Sequence, residues 1–202
     1  MKNKNYGLLI LFTGPSGVGK QTVRTPVLKD KDLNIAFSVS MTTRKRRKGE
    51  QPGVDYFFVS KKQFKDAIKN KKLLEWAEYA NNYYGTPADY VHKLRNQGKN
   101  VFLEIEAQGG LQVIDYCTKN KDNKLVSVFI APPSIAALKK RLQNRKSEDE
   151  ETINRRLKVA KWEIAQSKKY QNVIVNKSGK SKEATKKLRQ LIVDAMKKHK
   201  LW

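Results

Sequence analysis

The sequence predicts an α/β fold built on a parallel, doubly wound sheet, and three observations carry that reading. Residues 8–12, Leu8-Leu9-Ile10-Leu11-Phe12, are continuously apolar and run into Gly14-Pro15-Ser16-Gly17-Val18-Gly19-Lys20, the pattern of a central strand entering a glycine-rich turn and a helix. The strand-then-helix rhythm returns at residues 101–106 followed by 108–117, and at 125–130 followed by 134–144. A last short strand at 173–175 precedes a helical pattern over 182–198, where Ala184, Leu188, Leu191, Ile192 and Ala195 recur at helical spacing. Strands and helices that alternate in this way stack as helices on both faces of one sheet.

Residues 38–87 break the rhythm. Short β-like segments at 55–59 and 73–84, one helix at 61–70, and turn chemistry at Gly49, Pro52-Gly53 and Gly85 describe a small β-rich insertion. Residues 144–152 are polar, and Glu148-Asp149-Glu150-Glu151 stands where the start of a helix favours acidic side chains. That stretch is a candidate mobile segment between two helices. At 202 residues the chain can bury one substantial core, so a single domain is expected.

The composition, 39% hydrophobic and 31% charged with six prolines, is that of a globular protein rather than a disordered or fibrous one. Against 19 Asp+Glu stand 43 Lys+Arg, a net charge of +24 that attracts polyanions of any kind. Many of the lysines, such as Lys61, Lys62, Lys65, Lys69, Lys71 and Lys72, are scattered along helices and loops, as a solvated face also requires. No dedicated nucleic-acid or membrane partner is expected from charge alone. One cysteine, Cys117, allows no intrachain disulfide and no cysteine-based metal cluster. Residues 8–12 are too few for a signal-peptide core or a membrane span, so a cytoplasmic setting is expected.

Gly14-x-x-x-x-Gly19-Lys20 after an apolar strand is a phosphate loop: backbone N–H groups wrap a β-phosphate and the lysine bridges β- and γ-phosphates. The hydroxyl residue that often follows the lysine is here Gln21, with Thr22 one place later. Glu104 and Glu106, two residues apart in the 101–106 run, are expected on one face at its carboxyl end, where open α/β sheets collect ligands. They serve either a metal or substrate role, or are neutralised by a neighbouring Lys or Arg. Arg44, Arg47, Tyr56 and Tyr84 gather in the insertion, where guanidinium and phenol groups suit a second phosphate, although a basic run is also what a solvated loop contains. Arg141 and Arg145 lie one helical turn apart, with Arg155 and Arg156 beyond the acidic stretch. They fit either a lid closing over phosphates or surface pairing with residues 148–151. His92 and His199 are expected at the surface, and Trp76, Trp162 and Trp202 in core gaps.

Taken in order, the phosphate loop, Phe37-Ser38-Val39-Ser40-Met41-Thr42-Thr43-Arg44, Arg47-x-Gly49-Glu50, Asp55-Tyr56, Leu74-Glu75-Trp76-Ala77, Asn82-Tyr83-Tyr84-Gly85-Thr86, Leu103-Glu104-Ile105-Glu106-x-Gln108-Gly109, Arg155-Arg156-Leu157 and Val173-Ile174-Val175-Asn176 resemble the guanylate kinase family over nearly the whole chain. The resemblance implies a three-layer P-loop NTP hydrolase fold with an inserted GMP-binding subdomain at 38–87, a helical lid at 138–156, and a core of 1–37, 88–137 and 157–202. It implies transfer of the γ-phosphoryl group of ATP to GMP, with Mg²⁺ as cofactor and ATP and GMP as the small-molecule partners; a homodimer is compatible with it. In the family's pattern Gly14, Pro15, Ser16, Gly17, Val18, Gly19, Lys20, Gln21, Thr22 and Asn176 would bind ATP, and Glu104 would approach Mg²⁺ through water. Ser40, Glu75, Thr86 and Glu106 would read guanine beside Gly85, while Arg44, Arg47, Tyr56 and Tyr84 would hold the GMP phosphate. Lys20, Arg44, Arg141, Arg145 and Arg156 would supply the catalytic positive charge.

Three other classes stay open at this point, one of them an RNA- or DNA-binding NTPase that only the net charge of +24 favours. A guanylate-kinase-like binding module would have lost the phosphate-loop chemistry, whereas Gly14, Gly19 and Lys20 are present. A kinase for another phosphorylated acceptor would lack the guanine readers, whereas Ser40, Glu75 and Thr86 are present.

Overall fold

Successive residues of the first apolar run are buried on opposite sides of the chain: Leu8, Ile10 and Phe12 enter one hydrophobic cluster, Leu9 and Leu11 another. A strand covered on both faces has no need to alternate in polarity, which is why the run reads as continuous. The computed structural model describes residues 6–144 and 149–201. In chain order its elements are β1 (Leu9–Thr13), α1 (Lys20–Leu28), β2 (Ile35–Phe37), β3 (Ser40–Thr42), β4 (Tyr56–Phe58), α2 (Lys61–Lys69), β5 (Leu73–Tyr79), β6 (Asn82–Pro87), α3 (Ala88–Asn96), β7 (Asn100–Glu104), α4 (Ala107–Lys119), β8 (Leu125–Ala131), α5 (Ile135–Gln143), α6 (Glu150–Gln166), β9 (Asn172–Val175) and α7 (Ser181–Lys198).

The main sheet has the order β2-β7-β1-β8-β9, and every pairing in it is parallel. One face carries α1 and α7, with Val23, Val27, Leu188 and Ile192 against Ile10, Phe12 and Val128. The other carries α3, α4 and the end of α6, with Val91, Val113 and Ile164 packed on Leu9, Leu11 and Leu103. The chain fills the sheet on one side of β1 with β2 and β7, then crosses to β8 on the other side. Such a reversal opens a crevice at the carboxyl ends of the strands, and residues 14–19 leave β1 at that point. Helices α5 and α6 share a small apolar core of Leu138, Leu142, Ile153, Leu157 and Ala160.

A second, mixed sheet of order β4-β3-β6-β5 holds the residues between β2 and α3. Helix α2, started by a capping box in which Ser60 and Gln63 bond reciprocally, closes it with Phe64 and Ala67 against Leu73. Residues 73–84, read as one β segment, are a hairpin instead. It turns at Ala80 and Asn81, whose φ values of 49° and 61° are those of a primed turn, and the absence of glycine there hid the break.

Three further expectations need correcting. β7 ends at Glu104, and Glu106 is the residue that precedes the first turn of α4 rather than a strand residue on the same face. Trp76 and Trp162 are 37% and 48% exposed and fill no core gap; Trp202 lies outside the described residues. His92 is half-buried, with Nδ1 bonded to the Tyr6 hydroxyl and Nε2 to the Tyr116 hydroxyl, and burial together with the Arg95 charge holds its pKa below the usual histidine range.

Candidate active site

The turn after β1 closes on itself because two of its residues take backbone conformations that favour glycine: Gly17 at φ 83° and Gly19 at φ 93°. Gly19 caps α1, and Lys20 is the first residue of that helix. The Lys20 ammonium donates to the carbonyls of Gly14 at 2.6 Å and Pro15 at 3.2 Å, so it lies across the mouth of the loop. A helix N-terminus with unpaired N–H groups and an adjacent ammonium is an anion cradle. Gln21 and Thr22 point to solvent.

Groups from distant elements fasten this loop. Asn176, buried just after β9, donates from Nδ2 to the Val18 carbonyl at 2.8 Å. Arg141 from α5 donates to the same carbonyl at 3.0 Å and to the Asn176 carbonyl at 2.7 Å. Arg156, in the second turn of α6, donates to the Ser16 hydroxyl at 3.1 Å. The sequence therefore brings Arg141, Arg156 and Asn176 to one loop from residues far apart in the chain. Gly17, Gly19, Thr22, Arg141 and Asn176 line an open groove of about 310 Å³ beside it. Arg145 lies outside the described residues.

A second cleft of about 300 Å³ opens between the two sheets, lined by Ser40, Tyr56, Glu75, Tyr84, Gly85, Glu104, Glu106 and Gly109 among others. Its deepest polar group is Glu75. The register of β5 shifts between Leu73 and Glu75, so that Glu75 pairs with Thr86 and both Leu74 and Glu75 are buried. An irregularity of this kind re-aims a side chain that simple alternation would turn away. The Thr86 hydroxyl donates to Glu75 Oε1 at 2.6 Å. Burial pushes the Glu75 carboxyl up to about 7, against the lowering effect of the Thr86 hydrogen bonds and with a small addition from the Glu106 charge.

At the outer end of the cleft Arg44 lies over the rings of Tyr56 and Phe58, at 5.4 and 5.9 Å to their centroids. Its two terminal nitrogens donate to Glu50, at 2.6 Å to Oε1 and 3.1 Å to Oε2, and the Arg47 N–H donates to Glu50 Oε2 at 2.8 Å. The Glu50 carboxyl is held below the usual carboxylate range by the Arg44 hydrogen bond first and the Arg47 N–H second. The Arg47 side chain itself is exposed. Glu104, at the carboxyl end of β7, forms an ion pair with Arg24, whose guanidinium stacks over Phe37 at 5.0 Å.

A guanylate kinase family model matches residues 6–195, a span that takes in both clefts. The chain belongs to the guanylate kinase family. It is 51% identical over 170 residues to a guanylate kinase of Bacillus anthracis, covering 84% of this chain and 80% of that one. It is 46% identical over 193 residues to a guanylate kinase of Malacoplasma penetrans, with 96% and 95% covered. Among solved structures it resembles the crystal structure of guanylate kinase from Anaplasma phagocytophilum, with a TM-score of 0.66, 30% identity, and coverage of 96% and 89%. The parallel sheet, the phosphate loop and the flanking helices are thus those of a guanylate kinase.

Three residues in or behind these clefts escaped the sequence reading. Glu50 was visible only as part of a turn-rich motif, and nothing in its spacing announces the pairing with Arg44. Arg24 stands four residues after Lys20 and so shares its helix face, a signal that could have tied it to the site. Glu163, at 6% exposure on α6, is a buried carboxylate inside an apolar helix face, and a charged residue among Ala160, Ile164 and Leu157 was the signal available.

Proposed function

We propose that this guanylate kinase family member transfers the γ-phosphoryl group of ATP to GMP, giving ADP and GDP, in the cytoplasm. The observation that carries the reading is that a phosphate loop with its lysine and a cleft with a buried, hydroxyl-bonded carboxylate open at the same carboxyl edge of one sheet. In this reading residues 38–87 are the acceptor subdomain, 138–156 the lid, and the rest the core.

The loop from Gly14 to Thr22, with Asn176 beside it, takes the ATP phosphates. The Glu75 carboxylate accepts the N1 and N2 hydrogens of guanine, with Ser40, Thr86, Gly85 and Glu106 completing the base pocket. Adenine offers no such pair of hydrogens in that arrangement, so Glu75 sets the base preference. Arg44, Arg47, Tyr56 and Tyr84 hold the GMP phosphate. An oxygen of that phosphate attacks the γ-phosphorus in line, its new P–O bond replacing the bond to the β-bridging oxygen, and ADP leaves. Lys20, Arg44, Arg141, Arg145 and Arg156 balance the charge that shifts toward the leaving oxygen, and positioning does most of the rest.

Mg²⁺ fits the donors present. Among the described residues no cluster of three or more acidic, histidine or cysteine ligands occurs, and a hard ion that keeps its waters and rests on phosphates needs only a nearby carboxylate. Glu104 would hold it through water, displacing Arg24 as the partner of that charge. When bound, Mg²⁺ neutralises phosphate charge and orients the β- and γ-phosphates. Among the described residues no helix is long and apolar enough to cross a membrane.

The decisive experiment is an ADP-release assay with ATP and Mg²⁺, offering GMP, AMP, CMP and UMP in turn, for the native chain and for Lys20→Ala. Turnover confined to GMP and abolished in Lys20→Ala is the expected result. Turnover equal across acceptors, or intact in the variant, would overturn it.

A further inference from the structure

The side chain of Gln112, in the second turn of α4, makes two hydrogen bonds that the mechanism above does not use. Its Oε1 accepts from the Trp76 N–H at 3.1 Å, and its Nε2 donates to the Trp76 carbonyl at 2.9 Å. Only one orientation of the amide satisfies both contacts. They join a helix of the core to the backbone of β5, 36 residues earlier in the chain.

Among the described residues β5 is the outer strand of the small sheet, with β6 on one side only. In an antiparallel pair alternate residues turn both N–H and C=O away from the partner strand, and at an edge those groups are left to water or to another segment. At Trp76 the Gln112 amide takes them, offering one acceptor and one donor as the peptide of a further strand would. Gln112 thus extends the sheet by a single residue, next to Glu75.

Glu75 needs such a support. The ladder to β6 shifts register between Leu73 and Glu75, so regular pairing is interrupted on one side of the carboxylate, and on the other side Glu78 and Tyr79 are already exposed. Leu74 is buried in the apolar cluster to which α4 contributes Val113. Gly109, three residues before Gln112 and on the same helix face, comes so close that a Cβ there would stand 2.7 Å from Glu75 Oε2. α4 therefore meets β5 at adjoining points: the Glu75 carboxylate at Gly109 and the Trp76 backbone at Gln112.

We propose that Gln112 is a positioning residue for base recognition: by continuing the edge of the small sheet at Trp76 it holds β5 against α4, and so sets the place at which the Glu75 carboxylate meets the base. The proposal rests on the reading of Glu75 as the group that reads guanine. Gln112 itself touches no nucleotide in this account.

The test compares the native chain with Gln112→Met, which keeps the length and helix preference of the side chain and removes both hydrogen bonds. The expected result is a KM for GMP higher by about 10-fold, with KM for ATP within about 2-fold and near-native thermal stability. Guanosine, which lacks the phosphate, should lose calorimetric affinity by the same factor, as a change at the base end requires. In a Glu75→Gln background the exchange should alter KM for GMP by less than about 2-fold, because residues that act as a unit are not additive. A native KM for GMP, a rise shared by ATP, native guanosine affinity, or the same fold-loss in the Glu75→Gln background would overturn the proposal.

Hydrogen exchange read on the native chain keeps the proposal open to refutation even if Gln112→Met does not fold. The Trp76 amide should be protected there, and should exchange about 10-fold faster or more in a folded Gln112→Met. Exchange of the native Trp76 amide at the rate of an unstructured chain would refute the clamp alone, whereas a native chain with no preference for GMP would refute the reading of the base pocket, and the role of Gln112 with it.

Discussion

The Thr86 hydroxyl donates to Glu75 Oε1 at 2.6 Å, inside a wall that leaves Glu75 only 7% exposed. The Thr86 hydrogen bonds do not replace the water a carboxylate loses, so burial raises the Glu75 carboxyl to about 7. The cleft is therefore built with an unmet demand for hydrogen-bond donors. A base carrying two N–H groups on one edge meets that demand, and an empty cleft bears the cost.

That cost has a sign that can be followed with pH. The folded value near 7 stands above the ordinary 4.5, so as pH rises from about 4.5 to about 7 the unfolded chain releases the Glu75 proton first and stability falls. The loss is on the order of 3 kcal/mol at most when complete. Thermal denaturation of the nucleotide-free protein should show this decline in the native chain and lose it in Glu75→Gln, which should also bind GMP more weakly while AMP binding is unchanged. GMP affinity of the native chain should rise as pH passes through about 7, where Glu75 becomes an acceptor at both oxygens.

Arg141 is expected to behave as a strut and not only as a charge. Its two terminal nitrogens bridge the Val18 and Asn176 carbonyls at 3.0 and 2.7 Å, a geometry that a lysine ammonium cannot reproduce. Arg141→Ala should cost about 2 kcal/mol of stability, as charged hydrogen bonds to buried carbonyls do, and raise KM for ATP. Arg141→Lys should recover little of either. Full recovery by lysine, read from melting curves and ATP titrations, would mean that only the charge matters.

Glu50 should matter to the acceptor side alone. It takes three donors, two from Arg44 and the Arg47 N–H, and so closes the 44–50 turn around a fixed guanidinium plane. In Glu50→Gln, KM for GMP is expected to rise about 10-fold with KM for ATP unchanged, because bidentate pairing is lost. Calorimetry with guanosine, which lacks the phosphate, should show native affinity in the variant. If guanosine weakens equally, Glu50 supports the whole cleft and not the phosphate end.

What the sequence made legible follows the range of the interactions involved. Gly14 to Lys20 is contiguous, and its strand, turn and helix are local consequences of local residues, so loop and central strand could be read without a structure. The parallel sheet followed from repeated buried runs at 101–106 and 125–130. The break at Ala80-Asn81 was hidden because two non-glycine residues adopt positive φ there, and the burial of Glu75 was hidden because it depends on the register shift after Leu73. Helical position alone misplaced His92, since the partners that bury it, Tyr6 and Tyr116, come from the chain's start and from α4. Arg24 is the same case at the site: a charge whose meaning lies in Glu104, a partner on another element.

Gly109 and Gly110 offer a last prediction, because neighbouring positions on the first turn of α4 face opposite constraints. A Cβ at Gly110 would stand 2.1 Å from the Tyr170 hydroxyl and 3.1 Å from Thr13 Oγ1, both in the packed interior behind β1. The Tyr170 ring is fixed edge-on against Phe129, so the contact cannot relax by a swing of the ring alone. Gly110→Ala should destabilise by about 1–3 kcal/mol through overpacking, even after the helix-propensity gain. A Cβ at Gly109 would instead meet Glu75 Oε2 at 2.7 Å, in the cleft and not in the core. There the helix gains up to about 1 kcal/mol from alanine while the carboxylate must leave Thr86 or surrender the space a ligand would take. Gly109→Ala should therefore melt at or above the native temperature and lose GMP turnover by about 100-fold, the factor expected when a positioned group is displaced by an ångström. If Gly109→Ala kept full activity with GMP, Glu75 could not be the group that reads the base, because no guanine edge and alanine methyl fit against the same oxygen.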